Sequence, residues 1–332
     1  MLKLRHILDK TCLALYEDFI CDWQQTLNSY REGNLYVIPI PENTVIVLQG
    51  TALFSLLEEF STWTAADFYC SADELQSFVK NLEKTYPALG LLKDDIHKEK
   101  SQIEKVLDFL FIKKGYGNSR FDKVRGALFD DAPIDTCPYC NRHFIKTILT
   151  PNSSVVRGQL DHFYAKDKYP YLALHLYNLV PSCYNCNHGK SDVGGDLVSP
   201  YSLQTSDGLH FFAHIKNSSI FSLSSFENGI DIDVDVQSNA PANLSNNITA
   251  FHLQEIYRTH KDFVAELYVK SKLKMNQAYA RSIMRYYKGR SFRLTASDQK
   301  RLITGVYTDE KDYGKRPLSK FCTDIAKQFG LI

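Results

Sequence analysis

The sequence predicts an α+β fold, and three observations carry that expectation. Apolar residues recur at helical spacing through the first third of the chain. Between Cys137 and Lys190 that pattern gives way to β-branched runs enclosed by two Cys-x-x-Cys pairs, and after Pro241 helical spacing returns. The expected regions are a helical N-terminal part over 1–130, a central module over 131–204, and a C-terminal part over 205–332 that combines a hairpin with basic helices.

Taken in order, Leu4, Ile7, Leu8, Leu13, Leu15, Tyr16, Phe19 and Ile20 form an apolar stripe on one or two helices between Leu2 and about Tyr30. NLYVIPIPENTVIVLQG follows, whose β-branched runs and Glu-Asn turn predict a short hairpin or edge, with Pro39 and Pro41 suited to the edge. Ser71 and Glu74 have the spacing of a helix N-terminal capping box, and His97 to Phe111 is another strong helical segment. In CPYCNRHFIKTILTPNSSVVRGQLDHF two β-rich runs flank Pro-Asn-Ser-Ser, the composition of a hairpin turn, so a small ββα unit is expected. IFSLSSF and IDIDVDV lie on either side of Asn228-Gly229, alternate strictly, and predict a second hairpin. From Pro241 to Tyr287 helical periodicity runs without a further proline, and LSKFCTDIAKQFGLI reads as a terminal helix.

The 332 residues suffice for a substantial core, and 44% hydrophobic with 23% charged residues excludes disordered and collagen-like chains. The opening MLKLRHILDKTCLALYEDFICDW scatters charges among its apolar residues, so no leader or spanning segment is expected there and the protein should be cytoplasmic, away from any membrane. Four of the eight cysteines form the two pairs, while Cys12, Cys21, Cys70 and Cys322 sit among apolar neighbours. That usage reads as metal ligands and buried thiols rather than a disulfide framework. The net charge of +1 hides an asymmetry: residues 1–136 hold 15 basic and 21 acidic residues, 137–192 hold 6 and 3, and 251–332 hold 17 and 8. The positive end points to a polyanionic partner.

CPYC and CYNC set Cys137 with Cys140, and Cys183 with Cys186, at the spacing by which tight turns offer thiolates to one metal. Four thiolates at roughly 2.3 Å make a closed, structural zinc site. Spacing alone is met equally well by a zinc finger without catalysis. Within and just after the long intervening segment, however, stand Gln159-Leu160-Asp161-His162-Phe163, Tyr177-Asn178-Leu179-Val180 and Asn187-His188-Gly189-Lys190.

In these residues the chain resembles the HNH endonuclease family, whose order of CxxC, Asp-His, Asn-Leu, CxxC, His or Asn, and a Lys three residues later is matched across 137–192. The resemblance implies a ββα-metal module with Asp-His ending the first strand, Asn preceding the second, and the last ligand on the helix. By position, His162 would be the general base, Asp161 and Asn187 would hold magnesium or manganese, and Asn178 would brace the loop that orients His162. Asn187 stands where many members carry His. The neighbouring His188 is the rival ligand, but on an ideal helix it points about 100° away.

The residue types suit that chemistry independently. Phosphodiester hydrolysis needs a positioned water and a cation that neutralises charge on the phosphate and leaving oxygen. A neutral imidazole can take the water's proton at physiological pH, and carboxylate and amide oxygens are hard ligands for magnesium or manganese. Lys190, one helical turn after Asn187, suits a phosphate oxygen as a point charge. His143 and His175 are expected to be structural or at the surface.

From Leu267 to Ser297 no acidic residue occurs, while Lys270, Lys272, Lys274, Arg281, Arg285, Lys288, Arg290 and Arg293 are interleaved with Tyr279, Tyr286, Tyr287 and Phe292. The stretch could track phosphates and stack bases, which makes it the candidate nucleic-acid-binding segment; a solvated helix face or a docking face for an acidic protein is the alternative.

The longer run LDHFYAKDKYPYLALHLYNLVPSCYNCNHGKSD resembles HNH proteins of bacterial defence loci, similar to the nuclease subunit of Septu-type anti-phage systems. That resemblance implies DNA as substrate, with RNA left open, and a separate ATPase as partner. Single HNH modules nick one strand, so double-strand cutting implies a homo-oligomer or larger hetero-complex. The chain itself lacks the Gly-x-x-x-x-Gly-Lys-Ser/Thr phosphate loop. A zinc-stapled nucleic-acid-binding adaptor and a protein-interaction subunit, both without catalysis, are the competing expectations.

Overall fold

The computed structural model describes residues 1–4, 10–41, 44–69, 72–90, 92, 101–131, 134–146, 148–150, 153–155, 158–190, 196–216, 223–273, 278–279, 282, 285 and 294–332. It mixes helices with small sheets, as an α+β chain should. The strands are β1 (Arg31–Glu32), β2 (Leu35–Ile40), β3 (Thr44–Leu48), β4 (Ile148–Thr150), β5 (Ser153–Val155), β6 (Gln159–His162), β7 (Leu179–Ser182), β8 (Leu209–Ile215) and β9 (Ile230–Val236). Among the described residues they form one three-stranded sheet in the order β1-β2-β3 and three ribbons, β4-β5, β6-β7 and β8-β9.

Two compact units emerge, and both are discontinuous. One holds His6–Ala132 and Leu160–Pro181; the other holds Met1–Arg5, Pro133–Gln159 and Ser182–Ile332. These units cut across the three consecutive regions suggested by the sequence, because the chain leaves the first unit after Ala132 and returns to it for 160–181.

The helical unit is built on the helix Lys10–Ser29, which buries Cys12, Tyr16, Phe19, Ile20, Trp23 and Leu27 along one face. Edge-to-face rings fill the centre: Phe60 meets Trp63 at 4.6 Å and Phe111 at 4.9 Å, and Trp23 lies 5.6 Å from Phe68. The hairpin expected from NLYVIPIPENTVIVLQG forms as antiparallel β2-β3, burying Tyr36, Ile38, Ile46 and Leu48 on its inner face. The inserted segment supplies Leu160, Tyr171, Leu172, Ala173, Leu174, Leu176 and Leu179 to the same core. The helix expected over His97–Phe111 is described only from Gln102, as an α-helix to Leu107 that widens into a π-helix over Asp108–Tyr116. Ser71, half of the expected capping box, lies outside the described residues.

The cysteine unit departs from expectation at both ends. Residues 1–4 are not helical; Leu2 N–H donates to Pro138 O (2.7 Å) and Leu4 N–H to Pro200 O (2.9 Å). The second hairpin pairs β9 with β8 in antiparallel register from Leu209↔Val236 to Ile215↔Ile230; of the expected partner IFSLSSF, 220–222 lie outside the described residues and the rest falls in the short helix Leu223–Glu227. The alternation of LHFFAHI matches that of IDIDVDV in burial, so Leu209, Phe211 and Ala213 face the core with Ile230, Ile232 and Val234. The terminal helix Ser319–Gln328 forms and lies against β8. Its Asp324 accepts Phe211 N–H (3.0 Å), and its Gln328 accepts Ala213 N–H (2.9 Å) and donates to Ala213 O (2.7 Å), so side chains satisfy that strand's open edge. The helical run after Pro241 divides into Leu244–Ala250, Leu253–Tyr257 and Lys261–Lys272, broken at His252 by a left-handed backbone (φ 48°). No described helix is long and apolar enough to cross a membrane.

Candidate functional site

Two local turns build the cysteine cluster. In CPYC, Asn141 N–H donates to Cys137 O (2.7 Å) and Cys137 N–H to His143 O (2.9 Å). In CYNC the chain passes from β7 into the helix Tyr184–Lys190, with Asn187 N–H on Cys183 O (3.0 Å). The sulfurs of Cys137, Cys140, Cys183 and Cys186 consequently lie within 4.8 Å of one another, all buried, and Cys140 Sγ is 3.9 Å from Cys183 Sγ. Tetrahedral zinc with bonds of about 2.3 Å requires sulfurs about 3.8 Å apart, so the donor set fits structural zinc in both chemistry and spacing. Arg142 N–H points at Cys140 Sγ (3.4 Å), a contact that favours thiolate. Burial pushes the Cys137 thiol well above its ordinary range, and a cation bound by the four sulfurs would offset the cost of thiolates in so buried a place.

Asn141, which the sequence reading passed over, locks the first turn. It is buried in the left-handed region (φ 49°), donates through Nδ2 to Thr136 Oγ1 (2.8 Å) and Tyr313 O (3.1 Å), and accepts Lys320 N–H (3.2 Å). An Asn immediately after a Cys-x-x-Cys turn was the available signal, since Asn tolerates that conformation best among non-glycine residues. Tyr139 stacks on Phe251 (4.3 Å), and Tyr257 Oη donates to Cys140 O (2.5 Å), tying the turn to the helices behind it.

The remaining sequence-predicted residues fall in separate units. Asp161, His162 and Asn178 belong to the helical unit; Asn187 and Lys190 belong to the cysteine unit with the four sulfurs. Asp161 and His162 end β6 and are 4% and 8% exposed. His162 Nε2 lies 3.1 Å from Ala173 O. A carbonyl only accepts, so Nε2 carries the proton and the lone pair of the neutral ring sits on Nδ1. Asn178, fully buried just before β7, accepts Tyr164 N–H (2.7 Å) and donates to Tyr164 O (3.2 Å) and Leu172 O (3.0 Å). These bonds close the loop that carries Ala173. His175 lies in the same loop, and burial lowers its pKa to about 3, so it is neutral at physiological pH.

Asn187 sits on the helix Tyr184–Lys190 and donates Nδ2 to Gln159 Oε1 (2.7 Å), while Lys190 is 8% exposed. Its rival His188 is exposed and packs on the Tyr184 ring at 4.1 Å. Of the basic segment, Lys270 is half-buried, Lys272 is exposed with its ammonium 4.8 Å from the Tyr268 ring, and Arg285 is exposed. Lys274, Arg281, Lys288, Arg290 and Arg293 lie outside the described residues.

The fold and the cluster together define an α+β protein with a buried four-cysteine centre that could hold a structural zinc. No protein-family model matches the chain, and comparison with curated proteins and with solved structures finds no match either.

Proposed function

We propose that this chain is a divalent-metal-dependent endonuclease of the HNH type, with zinc at the four cysteines as its structural clamp. The observation that carries the reading is the state of His162. It is nearly buried at the end of β6 beside Asp161, its Nε2–H is committed to Ala173 O, and its basic nitrogen is therefore Nδ1.

In this reading His162 Nδ1 takes the proton of the attacking water, a role typically worth ~10²- to 10⁴-fold in rate. Asp161 offers a hard oxygen ligand for magnesium or manganese and Asn178 holds the loop behind His162 in the helical unit, while Asn187 and Lys190 offer an amide oxygen and a positive charge on the helix of the cysteine unit. The divalent ion would neutralise charge on the phosphate and leaving oxygen. Lys270, Lys272, Lys274, Arg281, Arg285, Lys288 and Arg290 are proposed to follow the DNA backbone. The narrower proposal, an anti-phage defence nuclease that works with a partner ATPase, rests on the sequence resemblance of 160–192 alone.

Supercoiled plasmid incubated with the purified chain in magnesium or manganese tests the reading, alongside His162→Ala and an EDTA control. Cleavage by the wild type that both controls lose is expected. Cleavage retained by His162→Ala refutes it, and DNA binding without cleavage, alone or with an ATPase partner, favours the zinc-stapled adaptor.

A further inference from the structure

We infer that Tyr116 is a positioning residue for His162 and that the π-helix Asp108–Tyr116 serves to deliver it; the inference rests on the reading of His162 as the general base. The Tyr116 ring meets the imidazole edge-to-face at 4.5 Å and 64°. The hydrogen bond from Nε2 to Ala173 O sets the tautomer, but it holds only while the imidazole keeps its rotation about the Cβ–Cγ bond. An aromatic ring against the imidazole opposes that rotation, so it keeps Nε2–H on Ala173 O and with it the direction of Nδ1.

Tyr116 is itself held from several sides. The Arg125 guanidinium lies over its ring at 4.6 Å and donates to Tyr116 O (3.0 Å), the Phe121 ring is 5.2 Å away, and Arg125 is paired with Asp122. Burial raises the pKa of the Tyr116 phenol, which keeps it neutral beside Asp161.

The helix that ends at Tyr116 has the geometry its position requires. Gly117 N–H bonds back to Ile112 O (2.7 Å), the wide-turn pattern of a π-helix. Such turns are rare and concentrate at functional positions. Gly115 lets the helix close on the 173–174 segment, since a Cβ there would stand 3.0 Å from both Leu174 methyl carbons. The widened helix thus touches His162 through Tyr116 and packs through Gly115 on the residue next to Ala173.

The test uses the full zinc-loaded chain and compares Tyr116→Phe, Tyr116→Leu and His162→Ala. Cleavage is read as kcat and KM, and the His162 tautomer is read by 15N-histidine NMR. Tyr116→Phe keeps the ring and should behave as the wild type. Tyr116→Leu should lose about 10²-fold in kcat, the order expected for a small misplacement of a reacting group, with KM unchanged. Its Nε2–H signal should give way to a mixture of tautomers. A wild-type kcat and a single tautomer in Tyr116→Leu would overturn the inference, and so would a loss in Tyr116→Phe as large as in Tyr116→Leu. If His162→Ala still cleaves, the general-base reading fails, while the tautomer in Tyr116→Leu still decides whether Tyr116 orients His162. Should Tyr116→Leu not fold, Gly115→Ala perturbs the same contact from the helix side: kcat falls with KM held, or the inference is overturned.

Discussion

Acidification should loosen the helical unit through one residue, His175. Burial lowers its pKa from the ordinary 6.5 to about 3, so the folded chain holds it neutral while the unfolded chain protonates it below 6.5. Between those values the unfolded state binds more protons, so stability rises with pH. The contribution is complete above 6.5 and is lost as pH falls from there toward 3. At 1.36 kcal/mol per pH unit the loss is about 2 kcal/mol at pH 5 and approaches about 5 kcal/mol once both states are protonated. Both tryptophans of the chain, Trp23 and Trp63, lie in the same unit, so urea unfolding followed by their fluorescence reports the relevant transition. With a urea slope of about 2 kcal/mol per molar, the midpoint should fall by about 1 M between pH 7.5 and 5. Titrating carboxylates add a background to that shift, which the His175→Gln variant shares. The wild type should therefore show the larger fall by about 1 M, and an equal fall in the two proteins would refute the reasoning. Because His175 shares its loop with Ala173, the same acidification should release the partner of His162.

Elemental analysis should find one zinc per chain, and Cys186→Ser or a strong chelator should remove it and unfold the cysteine unit, since structural zinc is worth on the order of 10 kcal/mol or more. Asn178→Ala removes the three hydrogen bonds of a fully buried side chain and should cost about 2–4 kcal/mol in denaturant unfolding, with cleavage lost before global unfolding. Gly314→Ala would put a Cβ 2.5 Å from Ile134 Cγ1, and overpacking of that kind should lower stability by about 1–3 kcal/mol in thermal unfolding. Replacing Lys270 and Lys272 with Glu should weaken DNA binding across sequences and flatten its salt dependence, measured by fluorescence anisotropy.

Where local chemistry dictates structure, the sequence was sufficient. Two Cys-x-x-Cys turns can hardly avoid presenting paired thiols, and the stripe from Cys12 to Leu27 makes an amphipathic helix through spacing alone. The positions of Asp161-His162 at the end of one strand, of Asn178 before the next and of Asn187 on a helix were implied by the family resemblance and not by local pattern. Tertiary structure decided what depends on distant partners. β9 pairs with Leu209–Ile215 rather than with IFSLSSF because two strands of matching alternation can seal one apolar face, which no local turn signal reveals. The division of 160–181 from the cysteines on either side comes from seven apolar side chains that are buried in the core of the helical unit. Tyr116 carried no signal at all in the sequence. A tyrosine 46 positions before His162 gains its meaning only when a widened helical turn and a close-packed glycine bring the two rings to 4.5 Å.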